Sequence, residues 1–206
     1  ISVGADGGSH QQIEDIAIMR AIPNLTVLIP ADTIAVSKLT WIMSQRYGPH
    51  YMRMARSATP LVHQESQDFE IGKGIVLRDG TDCTIAACGI TVKMALDAAD
   101  SLKKEEVSCR VIDGFSIKPI DENLLEKAAR ETGAIVTCEE HNVMGGFGSA
   151  VSEVVSERYP VPIKRVGVQD KFGESARDNE IPLLLEKYGI SSINITKAVK
   201  EARSRK

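Results

Sequence analysis

The sequence predicts an α/β fold: a mostly parallel-sheet, three-layer domain in the C-terminal part, preceded by an incomplete α/β segment. Three observations carry this. From about Phe69 onward, short β-branched runs alternate with longer stretches of helical periodicity. Strands separated by single helices form a mostly parallel sheet covered on both faces. The first third holds only two strands and two helices, too little to close a doubly covered sheet by itself. A chain of 206 residues has room for one large domain, or for a domain plus a fragment.

The elements follow in order. "IEDIAIMRAI" sets Ile13, Ile16 and Ala17 along one helical side, with the stem of Arg20, and Pro23-Asn24 ends it. "LTVLIP" is a short buried strand bounded by Asn24 and Pro30. Asp32 is the expected N-cap of "TIAVSKLTWIMSQRY", which stops at Gly48-Pro49. "HYMRMAR" is the second strand, and the polar, Pro-containing "SATPLVHQESQDFEIG" reads as a linker. These observations predict a division into residues 1–66 and 67–206. "GKGIVLRDG" and "DCTIAACG" follow as strands joined by the turn at Asp79-Gly80. Thr91 is the expected N-cap of "TVKMALDAADSLKKEE". Then come "VSCRVIDG" (strand), "DENLLEKAARE" (helix), "AIVTCEE" (strand), "FGSAVSEVVSERY" (helix) and "PIKRVGV" (strand), with "NEIPLLLEKYG" and "ITKAVKEARSR" as closing helices.

Composition excludes several classes. The formal net charge is −3 with both signs interspersed, so no nucleic-acid surface or polybasic membrane anchor is expected. The basic "KAVKEARSRK" suits the C-terminal end of a helix dipole. No stretch approaches the roughly 20 apolar residues needed to span a bilayer, and the chain is expected to be soluble and cytoplasmic. Three of the four cysteines, Cys83, Cys88, Cys109 and Cys138, lie in apolar strand-like runs, as small reduced core residues do.

Among motifs that carry chemistry, "GGFG" at Gly145 to Gly148 lies between a strand and a helix. Its spacing is not that of a dinucleotide fingerprint, and it reads as a tight turn. Zinc is not expected, because no cysteine pair has ligand spacing. Glu139, Glu140 and His141 read as a strand-end cluster that caps the glycine turn or lines an interface. His50 and His63 receive no role. The opening "GADGGSH" is the strongest constellation. Asp6 can accept hydrogen bonds from two sugar hydroxyls, Gly7 and Gly8 let the backbone approach a ligand, and His10 can trade protons near neutral pH. An ordinary turn with an exposed His10 fits the same residues. Arg53 and Arg56 lie three apart, so in a regular strand they face opposite ways and only one reaches a given pocket. Arg56, where the strand runs into loop, suits a phosphate ester.

These residues resemble the transketolase family nearly end to end. "SVGADGGSHQQIEDIAIMRAIPNLTVLIPAD" and "YMRMARSATP" are similar to the pyrimidine-binding domain. "RVIDGFSIKPID", "EEHNVMGGFGSAV" and "KFGESARDNEIPLLLEKYGI" are similar to the C-terminal domain. The resemblance implies ketol transfer between phosphorylated sugars, with thiamine diphosphate and a divalent cation (Mg) in the assembled enzyme. It also implies an N-terminal partner subunit and a homo-oligomer. Carried over, Asp6 binds a hydroxyl next to the reacting carbon, His10 assists proton transfer near substrate and aminopyrimidine, and Arg56 binds the sugar phosphate; Arg53 is left a structural role. The glutamate that activates thiamine and the aromatics that stack on it fall ahead of Ile1 in the family, and the diphosphate and metal site belongs to another domain. The chain is therefore expected to begin partway through a domain and to bind no coenzyme tightly alone. Other readings are a non-catalytic assembly domain, a deoxyxylulose-phosphate synthase, or a 2-oxoacid dehydrogenase beta subunit.

Overall fold

A computed structural model describes residues 1–206. In chain order the elements are α1 (Asp15–Ala21), β1 (Thr26–Leu28), α2 (Thr33–Ser44), β2 (His50–Met52), β3 (Ile75–Arg78), β4 (Cys83–Ala87), α3 (Thr91–Lys103) and β5 (Cys109–Asp113). There follow β6 (Ser116–Lys118), α4 (Glu122–Thr132), β7 (Ile135–Asn142), α5 (Phe147–Arg158), β8 (Ile163–Val168), α6 (Ile181–Lys187) and α7 (Ser192–Arg203).

The larger sheet has the order β3-β5-β4-β7-β8. All its pairings are parallel except that of β3 with β5. Successive side chains on a strand point to opposite faces, and both faces here are apolar. Ile85, Val111 and Val136 pack beneath α3 and α7 against Ala95, Leu102 and Val199. Their neighbours Ala86 and Ile135 turn the other way, to Leu125 of α4 and Phe147 and Val151 of α5. This is the expected three-layer domain, and its strands are continuous apolar runs because neither face meets water.

The smaller sheet has the order β2-β1-β6, with β1 parallel to β2 and antiparallel to β6. β6 is absent from the sequence reading. It is three residues long, and its partner lies about 90 positions earlier, so nothing local marks it. Through β6 the later part of the chain extends the sheet of the earlier part.

Asp32 caps α2 as expected, accepting Ala35 N–H at 2.9 Å. Two other expectations need correction. Thr91 is the first residue of α3 rather than its cap; its hydroxyl donates inward to the carbonyls of Cys88 and Cys138, each at 2.8 Å. The Asp79-Gly80 turn joins β3 to β4, but β5 lies between them. A side chain at Gly80 would fall 2.3 Å from the Cys109 carbonyl carbon, and Arg110 of β5 grips Asp79 at 2.7 Å. The segment from 57 to 72 contains no helix or strand, yet it is not loose. Lys38 Nζ donates to the carbonyls of Glu65 (2.5 Å) and Gln67 (2.6 Å), and His63 is buried.

Candidate functional site

A cleft of about 420 Å³ opens where several strands end. Its walls are the opening loop with His10 and Gln11, Ile29-Pro30 after β1, Met52 to Arg56 after β2, Cys88 to Ile90 after β4, and Glu140 on β7. The carboxyl ends of parallel strands are the usual ligand site of α/β folds, because loops there can vary while the sheet stays rigid.

His10 and Arg56 both line this cleft. Asp6 stands at its rim, with Oδ2 2.6 Å from Nη1 of Arg56. Arg56 Nη1 also donates to the Val3 carbonyl at 2.7 Å. His10 is exposed, its Nδ1 3.1 Å from Ser9 Oγ. The three residues singled out in the sequence thus gather around one opening. Asp6 and Arg56 are both about half exposed, so their pairing is worth about 1 kcal/mol or less and yields readily to a competing ligand.

β2 ends at Met52, so strand parity does not separate the two arginines, and Arg53 reaches the cleft as well. Their bonding separates them. Arg53 Nε lies 3.2 Å from Asp15 Oδ2, while Nη1 donates to the Glu140 carbonyl (2.8 Å) and Nη2 to the Gln12 carbonyl (3.0 Å). All three of its nitrogens are used by the protein. Arg56 uses only Nη1 and keeps Nε and Nη2 for a ligand.

Asp15 and Tyr51 also line the cleft and were not singled out from sequence. Tyr51 donates to Asp15 Oδ2 at 2.6 Å. Burial, and then this hydrogen bond, drive the phenol's pKa far above its ordinary value. The available signal was an acid, Asp15, on the buried side of α1 next to Ile16.

The strand-end cluster divides by role. Glu139 caps the glycine turn, accepting N–H from Phe147 (2.6 Å) and Gly148 (2.8 Å) at the start of α5. Burial pushes its pKa up to about 7, while those two N–H groups pull the other way. Its carboxylate thereby takes the place an outside anion would need at this helix terminus. A side chain at Gly146 would fall 2.1 Å from Glu139 Oε2, so glycine is required there. Burial also holds the His141 imidazole below its ordinary range. Its Nδ1 donates to the Asn142 carbonyl (2.6 Å) and Nε2 accepts Ala17 N–H (3.4 Å), which fixes a neutral ring.

Sequence reading gave His63 no role, yet it bridges two carboxylates in the interior. Nδ1 lies 3.1 Å from Asp32 Oδ2, and Nε2 lies 3.2 Å from Asp113 Oδ2. All three side chains have no solvent exposure. Burial raises Asp113 to about 6. For His63 burial acts downward, but the two carboxylates outweigh it and the net shift is upward. The four cysteines are buried, and burial raises Cys83 to about 12 and Cys109 to about 11. No group of three His, Cys, Asp or Glu side chains could hold a metal ion, and no helix is long and apolar enough to cross a membrane.

The family description "Transketolase, pyrimidine binding domain" matches residues 1–62, and "Transketolase, C-terminal domain" matches residues 72–195. The pairing of these two domains in an α/β fold defines the class, a chain built of a transketolase pyrimidine-binding segment and a transketolase C-terminal domain. The chain belongs to the transketolase family.

It is 41% identical to a transketolase C-terminal section of Methanocaldococcus jannaschii, covering 98% of this chain and 63% of that one. It is 38% identical to the 6-deoxy-6-sulfo-D-fructose transketolase subunit SqwH of Clostridium sp., covering 100% and 63%. A solved split-gene transketolase, described as an inactive beta4 tetramer, is 47% identical with a TM-score of 0.94, over 98% of this chain and 66% of that one. The chain thus spans just under two thirds of the length of these relatives.

The residues present do not fit the coenzyme's diphosphate and cation. In the cleft Arg53 is saturated by protein acceptors, Arg56 is left as the available guanidinium, and no carboxylate cluster accompanies them.

Proposed function

We propose that this chain is the C-terminal subunit, or a section of it, of a transketolase completed by an N-terminal subunit. Residues 1–66 are then the later part of the pyrimidine-binding domain with its linker, and residues 67–206 the C-terminal α/β domain. The assembled enzyme transfers a two-carbon ketol unit between phosphorylated sugars in the cytoplasm, with thiamine diphosphate and Mg held by groups outside this chain. Alone, the chain is inactive.

The chain's own residues supply the sugar contacts. Arg56 offers Nε and Nη2 as a fork for two phosphate oxygens, a charge-assisted arrangement. Asp6 accepts a sugar hydroxyl at the rim. His10, exposed and in the cleft, takes and returns a proton from a substrate oxygen, a task that suits imidazole near neutral pH. The observation that carries the reading is Arg56, a guanidinium with unused donors in the same cleft as His10 and beside Asp6.

The test mixes the full-length subunit with its N-terminal partner and assays ketol transfer with phosphosugar pairs. Activity that needs both subunits, and that falls with His10→Ala, supports the proposal. Unchanged kinetics in His10→Ala and Arg56→Ala would favour an assembly domain with vestigial site residues. The beta4 tetramer formed by the solved relative supports self-association of chains of this kind. A sedimentation profile showing only monomer would oppose it.

A further inference from the structure

We propose that the segment from 172 to 178, in the C-terminal part of the chain, seats the opening loop of the cleft, and that Asp178 is a positioning residue for Asp6 and His10. This rests on the functional reading of those two residues given above.

The two loops pack closely against each other. A side chain at Gly4 would fall 2.2 Å from Asp178 Oδ1, one at Gly7 2.3 Å from Ser175 Oγ, and one at Gly8 2.8 Å from the Gly173 carbonyl oxygen. Gly8 thus abuts the backbone of the other loop, while Gly4 and Gly7 face the side-chain tips of Asp178 and Ser175. Gly4 and Gly7 also have φ of +74° and +76°, which glycine alone adopts without strain. Two hydrogen bonds join the loops: Ala5 N–H donates to Asp178 Oδ1 at 3.1 Å, and Gln11 Nε2 donates to the Glu174 carbonyl at 2.8 Å.

The seat itself is anchored. The buried Tyr188 donates its hydroxyl to the Phe172 carbonyl at 2.5 Å, Lys187 pairs with Glu174, and Arg177 N–H donates to Glu180 at 3.0 Å. Beneath both loops lies one apolar cluster, in which Ile13 packs with Leu184, Tyr188 and Ile190. Positional information therefore runs from α6 through Asp178 to Ala5, and from Ala5 to the adjacent Asp6 that meets Arg56. The C-terminal domain then does more than associate with other subunits. It fixes the loop that reads the sugar, so that substrate binding does not have to order it.

Asp178 is exposed, so its removal leaves the core intact. In the full-length subunit assembled with its partner, Asp178→Ala is expected to raise the KM for the phosphosugar about tenfold, the loss of one hydrogen bond to a charged acceptor, with a smaller change in kcat. The melting temperature should be unchanged. Asp178→Asn keeps an oxygen acceptor and should recover the KM to within about threefold. Hydrogen exchange at the Ala5 amide should be faster in Asp178→Ala and near wild type in Asp178→Asn. A KM within about twofold of wild type in Asp178→Ala, or an Asn variant as impaired as the Ala variant, overturns the proposal. A wild-type assembly inactive on every phosphosugar pair defeats the functional reading instead. The seating of the loop is then judged by the Ala5 amide alone: faster exchange in Asp178→Ala upholds it and equal exchange overturns it.

Discussion

Replacing His63 with alanine removes the only side chain that neutralises two carboxylates in the interior. Its imidazole touches Asp32 at 3.1 Å and Asp113 at 3.2 Å, and its edge packs on Phe69 with ring centroids 5.0 Å apart. Asp32 keeps three backbone donors after the substitution, Ala35, Val62 and His63 N–H. Asp113 keeps none, since neither of its oxygens accepts a hydrogen bond and His63 Nε2 is its ion-pair contact. Stranding a buried charge in this way costs about 3–5 kcal/mol, a large part of the stability of an ordinary domain.

The sign of the pH dependence follows from the shifts. His63 is raised above 6.5, so its contribution is complete below that value and is lost as pH climbs through the folded pKa. Asp113 is raised from 3.8 to about 6, so the native state holds a proton there that the unfolded chain has released. Its effect also lowers stability as pH rises through that window. Asp32 is lowered despite burial, because its backbone donors and His63 outweigh the desolvation; its contribution is lost only as pH falls below 3.8. Stability from this trio therefore declines from pH 5 toward pH 8. The assay is urea unfolding followed by far-UV circular dichroism at both pH values. His63→Ala should lose stability at both pH values, and the variant's own stability should fall from pH 5 to pH 8 as the stranded Asp113 ionises. His63→Ala/Asp113→Asn should recover part of the loss. A loss below about 1 kcal/mol at pH 8, or a double variant no better than the single one, would refute the reasoning.

Further outcomes are expected for single substitutions and for the thiols. Arg56→Ala should raise the KM for phosphosugars by one to two orders of magnitude at unchanged melting temperature, since a charge-assisted hydrogen bond is worth about 1.5–3 kcal/mol. Arg53→Ala should instead lower the urea midpoint, because two carbonyls and Asp15 lose a shared donor; equal behaviour of the two variants would contradict the assignment. Glu139→Ala should destabilise by about 1–2 kcal/mol through the loss of the α5 cap, measured by thermal unfolding, and Gly146→Ala should cost at least about 1 kcal/mol through overpacking against Glu139. The four thiols should stay unreactive toward a thiol reagent at pH 8 until urea unfolds the chain, because burial keeps them protonated; rapid native labelling would oppose this.

Local pattern sufficed for much of this protein. Alternating β-branched runs and helical periods determined the three-layer domain, because side-chain direction repeats every two residues in a strand and about every 3.6 in a helix. Asp32 was legible as a cap from its place before a periodic run, and the opening loop was legible as a gathering of Asp6, glycines and His10. Position at the strand end and the family resemblance favoured Arg56 from sequence, whereas the acceptors from distant segments that occupy Arg53 are visible only in the tertiary structure. It also decided that β5 enters between β3 and β4, that β6 completes the smaller sheet, and that Glu139 fills the glycine turn. The trio of Asp32, His63 and Asp113 left no trace in any window, because its members lie 31 and 50 positions apart and only burial makes their charges interact strongly. Periodicity records which face a residue takes, whereas the pairing of polar groups depends on which segments that face is brought against.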